Sequence, residues 1–101
     1  MSLSPARLRL LELMQRVNFG RIEKLRVREG EPVFDPAPEV VYQVKLDGED
    51  DPRIEMSLSD FALKKEIVKL CRYLDKIGTG SVRRIYIKHG LPFNMEVDST
   101  S

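Results

Sequence analysis

Residues 20–33, GRIEKLRVREGEPV, are answered sixty positions later and without a gap by residues 80–93, GSVRRIYIKHGLPF. The shift pairs Gly20 with Gly80, Ile22 with Val82, Leu25 with Ile85, Val27 with Ile87, Gly30 with Gly90 and Pro32 with Pro92. Upstream, Leu10, Leu11, Met14 and Val17 fall on Leu70, Cys71, Leu74 and Ile77. The repeated unit is an amphipathic run, a glycine step and a strand-like segment that turns back on itself. A helix with one apolar stripe and strands with one apolar face must be buried in layers. The expected fold is therefore α+β: an antiparallel sheet with two helices on one face, in the order αββ-ββ-αββ, with a pseudo-twofold axis relating the two αββ units.

Ser4-Pro5 is a side-chain cap followed by proline at the first helical turn, where the missing N–H costs nothing. Leu10, Leu13, Met14 and Val17 then recur at helical spacing, which predicts a helix over 5–17 ending near Asn18 to Gly20. Leu25 and Val27 alternate with Lys24, Arg26 and Arg28, a half-buried strand with a basic outer row. Ile22 is one residue out of phase with Leu25, and Val82 is out of phase with Ile85 in the same way. Both copies therefore call for a bulge or a bent entry to the strand. Glu29-Gly30 and His89-Gly90 are tight hairpin turns, and Pro32 places residues 31–34 at a sheet edge or at a strand's first residue.

Residues 35–38, DPAP, form a stiff connector between units. Val40, Tyr42, Val44 and Leu46, then Ile54, Met56 and Leu58, alternate on either side of the acidic stretch Asp47, Glu49, Asp50 and Asp51. They predict an inserted hairpin over 39–58. Ser57 or Ser59 is expected to cap a second helix carrying Leu63, Ile67, Leu70, Cys71, Leu74 and Ile77 as one stripe. The chain thus reads as a single domain, residues 1–101. Unit one spans 5–34, the hairpin 39–58, unit two 59–97, and a tail expected to be disordered covers 98–101.

With 42% apolar and 33% charged residues the composition is that of a globular chain able to build a core. No apolar run is long enough to span a membrane, and the single Cys71 forms no internal disulfide, so a cytoplasmic protein without a membrane partner is expected. The net charge of +1 provides no global field for nucleic acid or anionic lipid.

The run LLELMQRVNFGRIEKLRVREGEPV resembles the short YezD-like proteins of bacteria, whose pattern is a helix, an aromatic-plus-glycine step, a strand, a D-G or E-G turn and a returning strand. Phe19-Gly20, Ile22, Val27 and Glu29-Gly30 carry that pattern, and Gly80, Val82, Ile87 and His89-Gly90 repeat it. Pro32, Pro92 and the acidic hairpin depart from it. The resemblance, over roughly half the chain, implies an αββ module of uncharacterised function with no activity or cofactor attached.

Among candidate functional residues, Lys24, Arg26 and Arg28 with Arg84, Tyr86 and Lys88 form the outward rows of the two repeat strands. Cations beside an aromatic suit phosphate contact and base stacking, and equally suit a solvated sheet face. Nucleic-acid binding would need all six in one continuous strip. Lys65, Lys69, Arg72 and Lys76 make a second basic stripe on the later helix. The acidic stretch lacks the alternating ligands and distant glutamate of a calcium loop. Cys71 sits on an apolar stripe and reads as a small buried hydrophobe. His89 occupies a turn position held by Glu29 in the other copy, a poor place for a general base. No catalytic residue, metal site or cofactor is expected. The favoured expectation is a non-catalytic module that binds another protein or pairs with itself as a homodimer. Sequence-independent nucleic-acid binding along the six outward residues is the alternative.

Overall fold

In the computed structural model, residues 3–44, 46 and 58–98 are described. The elements run α1 (Pro5–Val17), β1 (Phe19–Arg28), β2 (Glu31–Val33), β3 (Glu39–Tyr42), α2 (Leu58–Ala62), α3 (Lys65–Ile77), β4 (Gly80–Lys88) and β5 (Leu91–Val97). The chain is α+β: its described residues form an open antiparallel sheet of five strands with three helices. No described helix is long and apolar enough to cross a membrane.

The sheet is built around β1. One of its edges pairs with β4 from Phe19↔Lys88 to Val27↔Gly80. Its other edge is shared: β3 pairs with the first half, Gly20↔Tyr42 to Glu23↔Glu39, and β2 with the second, Arg26↔Val33 to Arg28↔Glu31. β5 continues the sheet beyond β4. The expected bulge lies where the phase slips. Lys24 adopts φ 58 and, with Arg83, falls out of the β1–β4 register, while β5 shifts register between Val82 and Arg84. The facing slips let Ile22 and Leu25 on β1, and Val82 and Ile85 on β4, all turn inward, each with no exposed surface.

Leu10, Leu11, Met14 and Val17 of α1, Phe61 of α2, and Ile67, Leu70, Cys71 and Leu74 of α3 close over that face in one core cluster. α1 begins as expected: Arg7 N–H donates to the Ser4 hydroxyl, and Pro5 takes the first turn. It ends at Asn18, φ 63, whose N–H donates to the Met14 carbonyl. The two tight turns dock on the two helix ends. Gly30 N–H donates to the Gly78 carbonyl at 2.8 Å and Gly90 N–H to the Asn18 carbonyl at 2.9 Å. Glu29 and His89 both take positive φ ahead of their glycines, the geometry of two-residue hairpins.

Three expectations need correction. The second helix is broken: α2 ends at Ala62, the Leu63 and Lys64 N–H groups donate three residues back to Asp60 and Phe61, and α3 starts afresh at Lys65. Leu63 consequently leaves the apolar stripe and is 72% exposed, and Phe61 enters the core. Leu58, expected in a strand, opens α2, and Ser59 lies inside that helix instead of capping it. Asp98, placed in the disordered tail, is anchored by Arg83 at 2.6 Å and accepts from Ser81. The expected hairpin arm at Ile54 and Met56, the acidic stretch 47–51, Ser57 and residues 99–101 lie outside the described residues.

Candidate functional site

The six outward residues sit on the solvent side of β1 and β4, but not in one strip. The strands are antiparallel, with Arg21 opposite Tyr86, Glu23 opposite Arg84 and Arg26 opposite Ser81. Arg26 and Arg28 therefore lie toward one end of the sheet and Tyr86 and Lys88 toward the other. Arg28 and Lys88 are about 30 Å apart along the strand direction at roughly 3.3 Å per residue. Arg84 occupies the centre. Its Nε donates to Glu23 Oε2 at 2.7 Å and its Nη1 to Glu96 Oε1 at 2.8 Å, while Arg21 Nε reaches the same Glu23 oxygen at 3.0 Å. Tyr86 donates its hydroxyl to Glu96 at 3.3 Å. Lys24, turned aside by its positive φ, pairs with Glu39 at 3.2 Å.

The electrostatics of the centre follow from this network. The Arg84 and then the Arg21 hydrogen bonds hold the Glu23 carboxyl below the usual carboxylate range, and Arg84 does the same to Glu96. The guanidinium of Arg84 is in turn held more firmly protonated by Glu23 and Glu96. Two carboxylates thus neutralise the middle of the basic face. Among the described residues, Arg26, Arg28 and Lys88 are the members of the set with no carboxylate in ion-pair reach. The five cations and one aromatic are thereby split into two ends around a neutral middle.

Cys71 is 3% exposed, and burial pushes its thiol up. The His89 ring packs edge-on against Phe19 with centroids 4.8 Å apart, a turn side chain with an aromatic neighbour. The Arg7 guanidinium links the helices to the first turn: it donates to the Gly30 carbonyl at 2.9 Å and pairs with Asp75.

A second surface emerges between α3 and the outer strand β5. A groove of about 540 Å³ runs there, with Leu70, Met95 and Val97 as its apolar lining, Tyr73 and Phe93 beside them, and Lys65 and Lys69 on its helical rim. Phe93 is 62% exposed and Val97 41%. The sequence signal for this surface was present in Leu91, Phe93, Met95 and Val97, an alternation that reads as one apolar face. β5, however, slips register between Tyr86 and Ile87 of its neighbour, so Leu91 and Met95 pack on the core while Phe93 leans on Tyr86, centroids 6.2 Å apart. The lysines of the rim belong to the basic stripe noted on the later helix, and the aromatic floor went unrecognised because period two alone does not reveal a slip.

No protein-family model, curated protein or solved structure matches the chain.

Proposed function

We propose that the chain is a non-catalytic binding module for another protein or for a second copy of itself, built as two fused αββ units of the YezD-like kind. The observation that carries the reading is the α3–β5 groove. It combines exposed Phe93, Tyr73 and Val97 with the outer side of a seven-residue strand that pairs only with β4 among the described residues, the composition that marks contact surfaces on small proteins.

The duplication half of the proposal is supported by positions sixty apart behaving alike. α1 and α3 each have thirteen residues, beginning at Pro5 and Lys65. Gly30 meets Gly78 while Gly90 meets Asn18, and the Glu29 N–H donates to Thr79 while His89 packs on Phe19. In each case one contact becomes the other on exchanging the units. The central pairs Ile22↔Ile85 and Leu25↔Val82 exchange in the same manner. An αββ unit alone would leave its apolar face bare, and fusion of two supplies the cover an ancestral homodimer would have given.

Sedimentation of the intact protein over about two decades of concentration, with affinity capture by the wild-type chain and a Phe93→Glu variant, tests the binding reading. A dimer or a captured protein that disappears with Phe93→Glu is the expected result. A monomer at every concentration with identical capture by both forms would remove its basis.

A further inference from the structure

Among the described residues, two exposed apolar patches lie on opposite edges of the sheet, and the charges beside them are opposite in sign. The first is the α3–β5 groove, where Tyr73, Phe93 and Val97 face solvent beside Lys65 and Lys69, and Lys76 stands 5.8 Å over the Tyr73 ring. Glu66 is the one acid in the groove lining. The second patch follows β3, where Tyr42 is 53% exposed, Val44 72% and Leu46 94%. The Gln43 N–H still donates to the carbonyl of Phe19, the residue that opens β1, at 2.9 Å, and Val44 and Leu46 come after that last tie. In the sequence this stretch runs on into Asp47, Glu49, Asp50 and Asp51 against the single Lys45. β3 pairs with the edge of β1 away from β4, and β5 lies beyond β4, which puts the width of the sheet between the two patches.

We propose that copies of this chain associate head to tail, the exposed residues Tyr42, Val44 and Leu46 of one copy seating in the α3–β5 groove of the next. Clustered exposed apolar side chains mark contact surfaces, and one contact between copies covers both patches. Charge selects this pairing over a twofold one. A twofold interface lays a patch on itself, which would set Lys65, Lys69 and Lys76 of the groove among the same lysines of the other copy. The head-to-tail contact instead brings the acidic sequence that follows Leu46 to those lysines. Strand addition at β5 is the weaker route. Pro92 has no N–H to give, and the Asn94 side chain accepts the Met95 N–H at 3.0 Å. Side chains entering a groove of about 540 Å³ need no such ladder. Because the two joined patches differ, each copy keeps a patch free for the next, and the assembly grows past the dimer. The inference rests on the protein-binding reading above and names the partner as a second copy of the chain.

Two full-length variants, each blocked at one patch, test the arrangement. Val44→Lys with Leu46→Lys places cations on the first partner of the contact, and Phe93→Glu places an acid in the groove. All three positions are exposed, and circular dichroism verifies that the fold is kept. In sedimentation from about 20 µM to about 1 mM the wild-type mass is expected to rise past that of a dimer, with a dissociation constant on the order of 100 µM. Each variant alone is expected to stay monomeric. Their equimolar mixture should form a one-to-one complex and nothing larger, because one intact partner of each kind remains. Raising sodium chloride from about 50 to about 500 mM should weaken the wild-type association at least about threefold. A wild-type chain that stays monomeric at about 1 mM, or a mixture that fails to pair while the wild type associates, would overturn the proposal. A wild-type dimer that is lost in Phe93→Glu yet kept by the Val44→Lys, Leu46→Lys variant sinks the head-to-tail contact and leaves the binding module standing. Monomers throughout, with identical protein capture by wild type and Phe93→Glu, tell against both.

Discussion

Gly20 bears a heavier constraint than Gly80, the glycine sixty positions on. A Cβ on Gly20, whose φ is 149, would lie 2.0 Å from the Val41 carbonyl oxygen, because β3 pairs closely with β1 at that point. At Gly80 a Cβ would meet only a methyl of Ile77 at 3.3 Å. Gly20→Ala should therefore cost at least about 2 kcal/mol in urea unfolding and Gly80→Ala less than about 1 kcal/mol. Equal costs would show that β3 does not press on β1. The Arg84 network makes a second prediction, on pH. The Glu23 and Glu96 carboxyls are held below their usual value near 4.5, so the stability their pairing with Arg84 contributes is complete above that pH. It is lost as pH falls through the lowered values. Arg84→Met should lower the urea midpoint at pH 7, and the gap to wild type should narrow as pH falls below the usual carboxylate range. A gap that persists in acid would assign the effect to lost packing of the arginine stem.

At the scale of elements, the two long helices begin differently. α1 has the Ser4 hydroxyl to receive the Arg7 N–H, whereas α3 is preceded by Lys64, extended at φ −61 and ψ 139, with no side-chain cap. Lys64→Ser should raise stability by about 0.5–1 kcal/mol and Ser4→Ala lower it by about 1 kcal/mol, both read from thermal unfolding. No gain from Lys64→Ser would mean that water or a neighbouring group already satisfies those N–H groups. The same comparison shows what was legible in the sequence. Periodicity and end signals located α1, the end of α3, the turns at Gly30 and Gly90 and the bulge, because each is a local rule stated within about a dozen residues. The break before α3 was not legible, since Leu63 keeps helical phase with Ile67 and only the turn at Asp60 to Lys64 interrupts it. Nor was the division of the basic rows, which depends on antiparallel pairing of β1 with β4. Residues that read alike along the chain are sent by that pairing to opposite ends of the sheet.

For the whole molecule, the decisive feature is that β1 is bonded along both edges while every other strand leans on it or on β4. Opening β1 or β4 separates the four fully buried residues Ile22, Leu25, Val82 and Ile85 and with them the core shared by all three helices. Their amides should exchange only through global unfolding. β3 is different: four residues long, half-exposed and, among the described residues, paired to β1 alone. Its amides should exchange through a local opening at least about 2 kcal/mol below the global value. Gly20→Ala should enlarge that difference, because the new methyl drives β3 away before it disturbs β4. Hydrogen exchange by NMR on both forms decides the matter. If the Val41 and Tyr42 amides match Ile22 and Ile85 in protection, β3 belongs to the cooperative core. The sheet then opens as one five-stranded unit among the described residues, with β3 no looser than the strands it joins.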